Sequence, residues 1–337
     1  MTRSGWLASG AAAAGVLAVF AVMSHFGKGP GEEPPFVVVS RAASTPPRAR
    51  AFAPRASGTT RDLHALAASG AHLYAAGAGG VLLHLDDPRR GFVALASGTE
   101  RDLFALHVSR VAAVAVGGGG AVVRAQADGA WSPAASGVTA DLFGVTADEG
   151  TREIVAVGAE GTVVRTTSGS WSAESSGTTQ SLRGVAFAAG AAYAVGDGGT
   201  IVVRAAPGAR WTRETSGTTR DLFAIGALPG AGGGATLVAV GAAGTVLRRV
   251  VERGARPEWV ASPALVPGDL RATSAAERAF YAVGRGGAVV RVDATGGAGG
   301  AEPPAVTTTT DLDAVAIRLG EVYVAGAGGL VLARELF

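Results

Sequence analysis

Residues 97–136 read SGTERDLFALHVSRVAAVAVGGGGAVVRAQADGAWSPAAS, and this stretch decides the fold because the chain rewrites it again and again. Its opening signature, S-G-T-x-x-D-L, begins at Ser57, Ser97, Ser136, Ser176 and Ser216, 39 or 40 residues apart. The Asp-Leu step alone recurs at Asp62-Leu63, Asp102-Leu103, Asp141-Leu142, Asp221-Leu222, Asp269-Leu270 and Asp311-Leu312. Ser181-Leu182 takes its place once, which makes seven steps. A second signature, G-x-x-G followed by apolar residues, starts at Gly77, Gly117, Gly158, Gly196, Gly241, Gly284 and Gly326, again seven times. Self-similarity at a fixed period of this size is the mark of a repeat architecture.

Each unit predicts four short strands. The first is typified by Leu103–Leu106, the second by Tyr193–Val195 and the third by Thr162–Arg165. The fourth opens with an aromatic such as Trp171. Glycine every few residues disfavours helix, and runs of Val, Leu and aromatics broken by Gly turns favour strands. The runs are apolar on both faces, as in Leu103-Phe104-Ala105-Leu106 and Ile201-Val202-Val203. A sheet covered by a neighbour on each side fits that pattern, and a four-strand unit of this length fits a propeller blade. Insertions fall near Asp148–Arg152 and Pro229–Thr236, where surface loops tolerate them.

The ends of the array predict a closed ring. The fourth-strand aromatic stands ten residues before the next Asp or Ser in Phe92–Asp102, Trp131–Asp141, Trp171–Ser181, Trp211–Asp221 and Trp259–Asp269. Phe52–Asp62 keeps the same gap, so the array opens with a lone fourth strand, Phe52–Gly58. The last unit stops after its third strand, at Val331–Leu336. The two fragments are expected to complete one blade and remove the open sheet edges that invite aggregation. The expected fold is all-β: a seven-bladed β-propeller of four-stranded blades over 51–337, closed by the N-terminal strand.

Ahead of the array, Trp6–Val22 is an apolar run without formal charge, bounded by Arg3 and Lys28. A bilayer-spanning helix needs about 20 mostly apolar residues. Residues 1–26 are therefore expected to form a signal anchor oriented N-in, with a cleaved signal peptide as the alternative. Residues 27–50 are rich in Pro and Gly and read as an extended linker. The expected localisation is membrane-anchored, periplasmic or otherwise extracytoplasmic, or secreted if the segment is cleaved.

Composition excludes several chemistries. There are no cysteines, so disulfides, thiolate metal sites, a cysteine nucleophile and a lipobox are all ruled out. Net charge is +2, with no block of like charges that would suggest nucleic acid. The histidines are His25, His64, His72, His84 and His107, without H-x-H or H-x-x-x-H spacing, so no metal site is expected. The Gly-rich turns precede strands and not helices, which removes the helix-dipole phosphate cradle. No G-x-S-x-G elbow is present. Tyr74, Tyr193, Tyr281 and Tyr323 all stand three residues before a G-x-x-G glycine, a repeat position that reads as packing. No cofactor is expected.

The pattern A-V-G-x-x-G-T-[V/I]-x-R, then a Gly turn and Trp, resembles BNR-type, Asp-box-like propellers. More closely, it is similar to the photosystem II assembly and stability factor family and its bacterial relatives, over residues 51–337. The Asp-box itself is degraded: Asp128-Gly129-Ala130-Trp131 keeps the Asp, and Ser168-Gly169-Ser170-Trp171 keeps the Gly and Trp. In that family these residues hold a hairpin turn. The resemblance implies a propeller and does not carry photosynthesis with it.

Three repeat positions are candidates for more than packing. A cation ends the third strand at His84, Arg124, Arg165, Arg204, Arg248 and Arg291, with Ala333 breaking the series. These residues either grip an acidic partner or pair across strands with residues such as Glu174 and Glu214, and the second role is the expected one. The Asp of the Asp-Leu step is expected to fix a turn by accepting from nearby backbone N–H groups. The position after the recurring Leu is occupied by His64, Phe104, Phe143, Arg183, Phe223, Arg271 and Asp313. It points away from the packed Leu on the innermost strand and differs from blade to blade. His64, Arg183, Arg271 and Asp313 are the candidate binding mouth. The expected function is a non-enzymatic scaffold that binds a protein or peptide, as a monomeric propeller without nucleic acid. A carbohydrate-binding or sialidase-like glycosidase propeller is the alternative, which requires a Tyr nucleophile with arginines and acids.

Overall fold

Each unit folds into one antiparallel four-stranded sheet, giving seven sheets in all. The computed structural model describes residues 51–252, 258–295, 300–301 and 308–336. The expected anchor and linker lie outside the described residues. Among the described residues no helix is long and apolar enough to cross a membrane.

Blade 4 shows the plan. Leu182–Ala188 is innermost, followed outward by Ala191–Gly196, Thr200–Arg204 and Trp211–Glu214. Blade 7 combines Leu312–Arg318, Glu321–Gly326 and Val331–Glu335 with Ala53–Pro54 as its outermost strand. Ala53 lies opposite Ala333 and Pro54 opposite Leu332, and the Arg55 N–H donates to the Val331 carbonyl at 2.9 Å. This ladder covers Ala53–Pro54, a shorter stretch than the Phe52–Gly58 expected.

Seven apolar clusters hold the sheets together, one at each interface between adjacent blades. Val155, Val157 and Val163 of blade 3 pack on Leu182, Ala194 and Val202 of blade 4. Leu63 and Leu73 of blade 1 meet Tyr323 and Val331 of blade 7. Full burial of a Val or Leu side chain contributes roughly 1.5–3 kcal/mol, so the interfaces carry most of the stabilisation. Tyr193, Tyr281 and Tyr323 are buried in these clusters.

The G-x-x-G motif is a tight turn with two separate demands. The first glycine has extended backbone, φ −172° at Gly117, yet a Cβ there would stand 1.9 Å from the Asp102 carbonyl oxygen. The last glycine, Gly120, has φ +72°, and its Cβ would meet the Val138 carbonyl at 2.1 Å. One position needs the missing side chain for space, the other for space and conformation.

The Asp of the Asp-Leu step does fix a turn, but one that belongs to the neighbouring sheet. Its carboxylate accepts from the turn of the preceding blade: Gly79 N–H to Asp102 and Gly119 N–H to Asp141, both 2.7 Å. The same bond runs from Gly198 to Asp221, Ala243 to Asp269, Gly286 to Asp311 and Gly328 to Asp62, at 2.7–3.0 Å. These bonds latch six of the seven interfaces. The remaining one, between blades 3 and 4, has Ser181 at that position.

The third-strand cations are also not one series. His84, Arg124, Arg165, Arg248 and Arg291 fall four residues after the last turn glycine, whereas Arg204 falls five after. Strand side chains alternate faces, so Arg204 points to the preceding blade and is 1 % exposed. Its true counterparts are Arg249 and Arg334, so Ala333 does not interrupt its set. Arg204 binds Glu153 through two bonds of 3.0 and 2.5 Å and Glu174 at 3.1 Å. Trp211 Nε1 donates to the same Glu174 at 2.9 Å, and Arg165 joins at 2.5 Å. Arg249 and Trp259 repeat this arrangement on Glu214. The pairing with Glu174 and Glu214 expected from the sequence is present, with Arg249 in place of Arg248. The network at the blade 3–4 interface stands where the Asp latch is missing.

Candidate functional site

In every blade, the residue after the recurring Leu is a β-bulge. In blade 1 Leu63 pairs with Gly77 and Ala65 with Ala76, which leaves His64 out of the ladder. The same register shift occurs at Phe104, Phe143, Arg183, Phe223, Arg271 and Asp313. A bulge re-aims its side chain, and here all seven aim at the centre of the ring. They line one cavity of about 440 Å³ together with Asp269, above a narrower channel of about 190 Å³. All four candidate mouth residues, His64, Arg183, Arg271 and Asp313, are therefore brought together.

The lining falls into two arcs. His64 tilts on Phe104 at 5.9 Å between ring centroids, and Phe104 on Phe143 at 5.7 Å. The Arg183 guanidinium sits 5.3 Å from Phe143 and 5.9 Å from Phe223. Each such contact contributes about 0.5–2 kcal/mol. Asp197, in the turn of the same blade, holds Arg183 by two bonds of 2.5 and 3.2 Å. Sequence reading missed Asp197; its signal was an acid in a turn position that other blades fill with Gly, Ala or Arg.

The opposite arc is charged. Arg271 donates to Asp313 at 2.6 Å and lies 3.1 Å from Asp311. Burial pulls the Arg271 pKa down, but the bond to Asp313 and the charges of Asp313, Asp311 and Asp269 hold it above its ordinary value. Asp311 is held below its usual range by the Gly286 N–H first and by the charges of Arg271 and Arg285, against the opposing effect of burial. Both mouth arginines are thus fixed in direction by carboxylates, Arg183 by Asp197 and Arg271 by Asp313. Larger hollows of about 800 and 650 Å³ lie at the S-G-T loops of blades 4 and 7. They are built from repeat residues, so the blade-specific chemistry lies in the central mouth. Among the described residues, no group of three or more His, Cys, Asp or Glu is placed to hold a metal ion.

Solved structures share this architecture. YCF48 from Cyanidioschyzon merolae matches with a TM-score of 0.65 and 17 % identity, over 85 % of this chain and 98 % of that one. YCF48 bound to D1 peptide matches with a TM-score of 0.64 and 14 % identity, over 87 % and 99 %. At these identities the likeness is one of fold, and it agrees with the resemblance to the photosystem II assembly factor family read from the repeats. No family model matches the chain, and no curated protein matches it.

Proposed function

We propose that this chain is a non-catalytic scaffold whose central mouth binds a peptide segment of a partner protein. The observation that carries the reading is the set of seven bulge residues, which converge on one cavity and carry His, Phe, Arg and Asp at a single repeat position. An aromatic arc beside a fixed Arg–Asp edge suits an extended segment with one apolar or aromatic side chain and a polar neighbour. YCF48, of the same fold, has been solved with a D1 peptide, which supports a peptide as the ligand class. The sialidase-like reading requires a tyrosine beside an arginine cluster, and none of the four tyrosines lines the mouth.

The pairing of Ala53–Pro54 with Val331–Glu335 is, in this reading, the closure that keeps the mouth rigid. The apolar run Trp6–Val22 anchors the propeller at a membrane, outside the cytoplasm, with 27–50 as spacer.

Selection of peptides from a random library on the full chain tests the function. Peptides that bind the wild type should lose at least tenfold in affinity for an Arg183→Ala/Arg271→Ala variant. Equal affinity for both would remove the mouth as the site. A sugar-release assay giving turnover would favour the glycosidase reading instead, and protease protection of the propeller in intact cells tests its placement.

A further inference from the structure

We propose that His72 and His84 form a two-imidazole site for a divalent transition-metal ion, with Cu²⁺ preferred, on the side of blade 1 that faces blade 2. His72 opens the second strand of that blade (His72–Gly77), and His84 lies on the third (Leu82–Leu85). Tyr74 pairs with His84 in the ladder, so His72, two residues earlier, projects on the same side. His72 Nδ1 and His84 Nε2 face one another at 3.0 Å.

That separation matches two ligands in cis on one metal. With metal–nitrogen bonds of about 2.0–2.1 Å, nitrogens 3.0 Å apart subtend about 94° at the ion. A tetrahedral ion asks for a wider spacing, about 3.3 Å, whereas tetragonal Cu²⁺ or Ni²⁺ takes a right angle. Cu²⁺ also binds nitrogen sites more tightly than its divalent neighbours.

The rings are held in place. Tyr74 stacks on His84 with centroids 4.4 Å apart and planes at 21°, and Tyr74 itself leans on Trp131 of blade 2 at 5.8 Å. Arg318, buried in blade 7, donates to the carbonyls of Ala71 and Asp86 at 2.7 Å each, which pins the ends of both histidine strands. Burial, then the neighbouring His72, holds the His84 pKa below its ordinary value, against the charge of Asp86. His72 is exposed, which leaves an open approach and room for water as the remaining ligands.

Titration of the purified full-length chain with CuCl₂ in a non-coordinating buffer, read by calorimetry and electron paramagnetic resonance, tests the site. The expected result is one Cu²⁺ per chain, a tetragonal spectrum with splitting from two nitrogens, and weaker binding of Zn²⁺. His72→Gln and His84→Gln should each lower the affinity at least tenfold with unchanged circular dichroism, and His107→Leu should leave it unaltered. Equal Cu²⁺ affinity in the His72→Gln/His84→Gln double variant would overturn the proposal. Zn²⁺ binding more tightly than Cu²⁺, or no stoichiometric binding by the wild type, would overturn it as well.

Discussion

Arg204→Met removes the cation from the most enclosed ion pair in the ring. Arg204 and Glu153 are 1 % and 0 % exposed, and their two bonds join blade 4 to blade 3. With Arg204 gone, the Glu153 carboxylate keeps only Arg165, at 3.5 Å, and Trp211 loses the guanidinium 5.5 Å from its ring. Breaking a buried pair from one side costs about 3–5 kcal/mol, whereas replacing both partners by apolar groups of similar volume is near neutral. The expected cost is therefore about 3–5 kcal/mol for Arg204→Met and about 0–1 kcal/mol for Glu153→Leu/Arg204→Met. Urea unfolding followed by tryptophan fluorescence reads both, since Trp211 sits in the network. A single substitution costing under about 1 kcal/mol would refute the account. So would a double variant as unstable as the sum of its singles, because the charge would then not be the cause.

Three further outcomes follow from the same geometry. Asp102→Ala deletes a latch between blades 1 and 2 and should cost about 1–3 kcal/mol, the worth of a hydrogen bond to a charged group, seen as a lower urea midpoint. Gly117→Ala puts a methyl 1.9 Å from the Asp102 carbonyl and should cost about 1–3 kcal/mol in the same assay, although its φ is open to any residue. Burial lowers the His107 pKa to about 4, with Glu149 opposing weakly, and His107 Nε2 is shut from solvent without a hydrogen-bond partner. The unfolded chain takes up that proton near pH 6.5 and the folded one does not, so stability should fall by about 3 kcal/mol between pH 6.5 and 4, and His107→Leu should flatten that slope.

The blade count and strand order were legible because both rest on local repetition: a turn glycine and an Asp-Leu step recur whatever the tertiary context. The candidate mouth was legible for another reason. His64, Arg183, Arg271 and Asp313 occupy a repeat position that three other blades fill with Phe, and that contrast is visible without coordinates. What the sequence hid is cross-chain register. The partner of Asp102 is Gly79, 23 residues earlier and in another sheet, so its bond reads as a local turn until the ring is built. Arg204 and Arg165 look equivalent by residue type, and one residue of offset puts them on opposite faces. His72 and His84 are 12 apart, a spacing no ligand motif flags, and meet only through the hairpin register. The bulges themselves arise from how Leu63 and Ala65 pair, which residue identity does not announce.

The bulge links the repeat to specificity. A residue inside the ladder is constrained twice, by its backbone bonds and by the blades that sandwich it, and the clusters of Val, Leu and Ala at each interface show how narrow that choice is. The bulge residue escapes both constraints. It is out of register with its partner strand and turned into the central opening, where it meets the other bulge residues and a few turn carboxylates such as Asp197 and Asp311. Apart from Arg271, which pairs with the latch residue Asp311, substitution there leaves the Asp latches, the turn glycines and the interface clusters in place. A ring of this kind can therefore vary the chemistry of its central opening through seven side chains, while its stability is fixed elsewhere. The same separation explains why the mouth position carries four residue types, His, Phe, Arg and Asp, while the turn glycines and the Leu beside it recur in all seven blades.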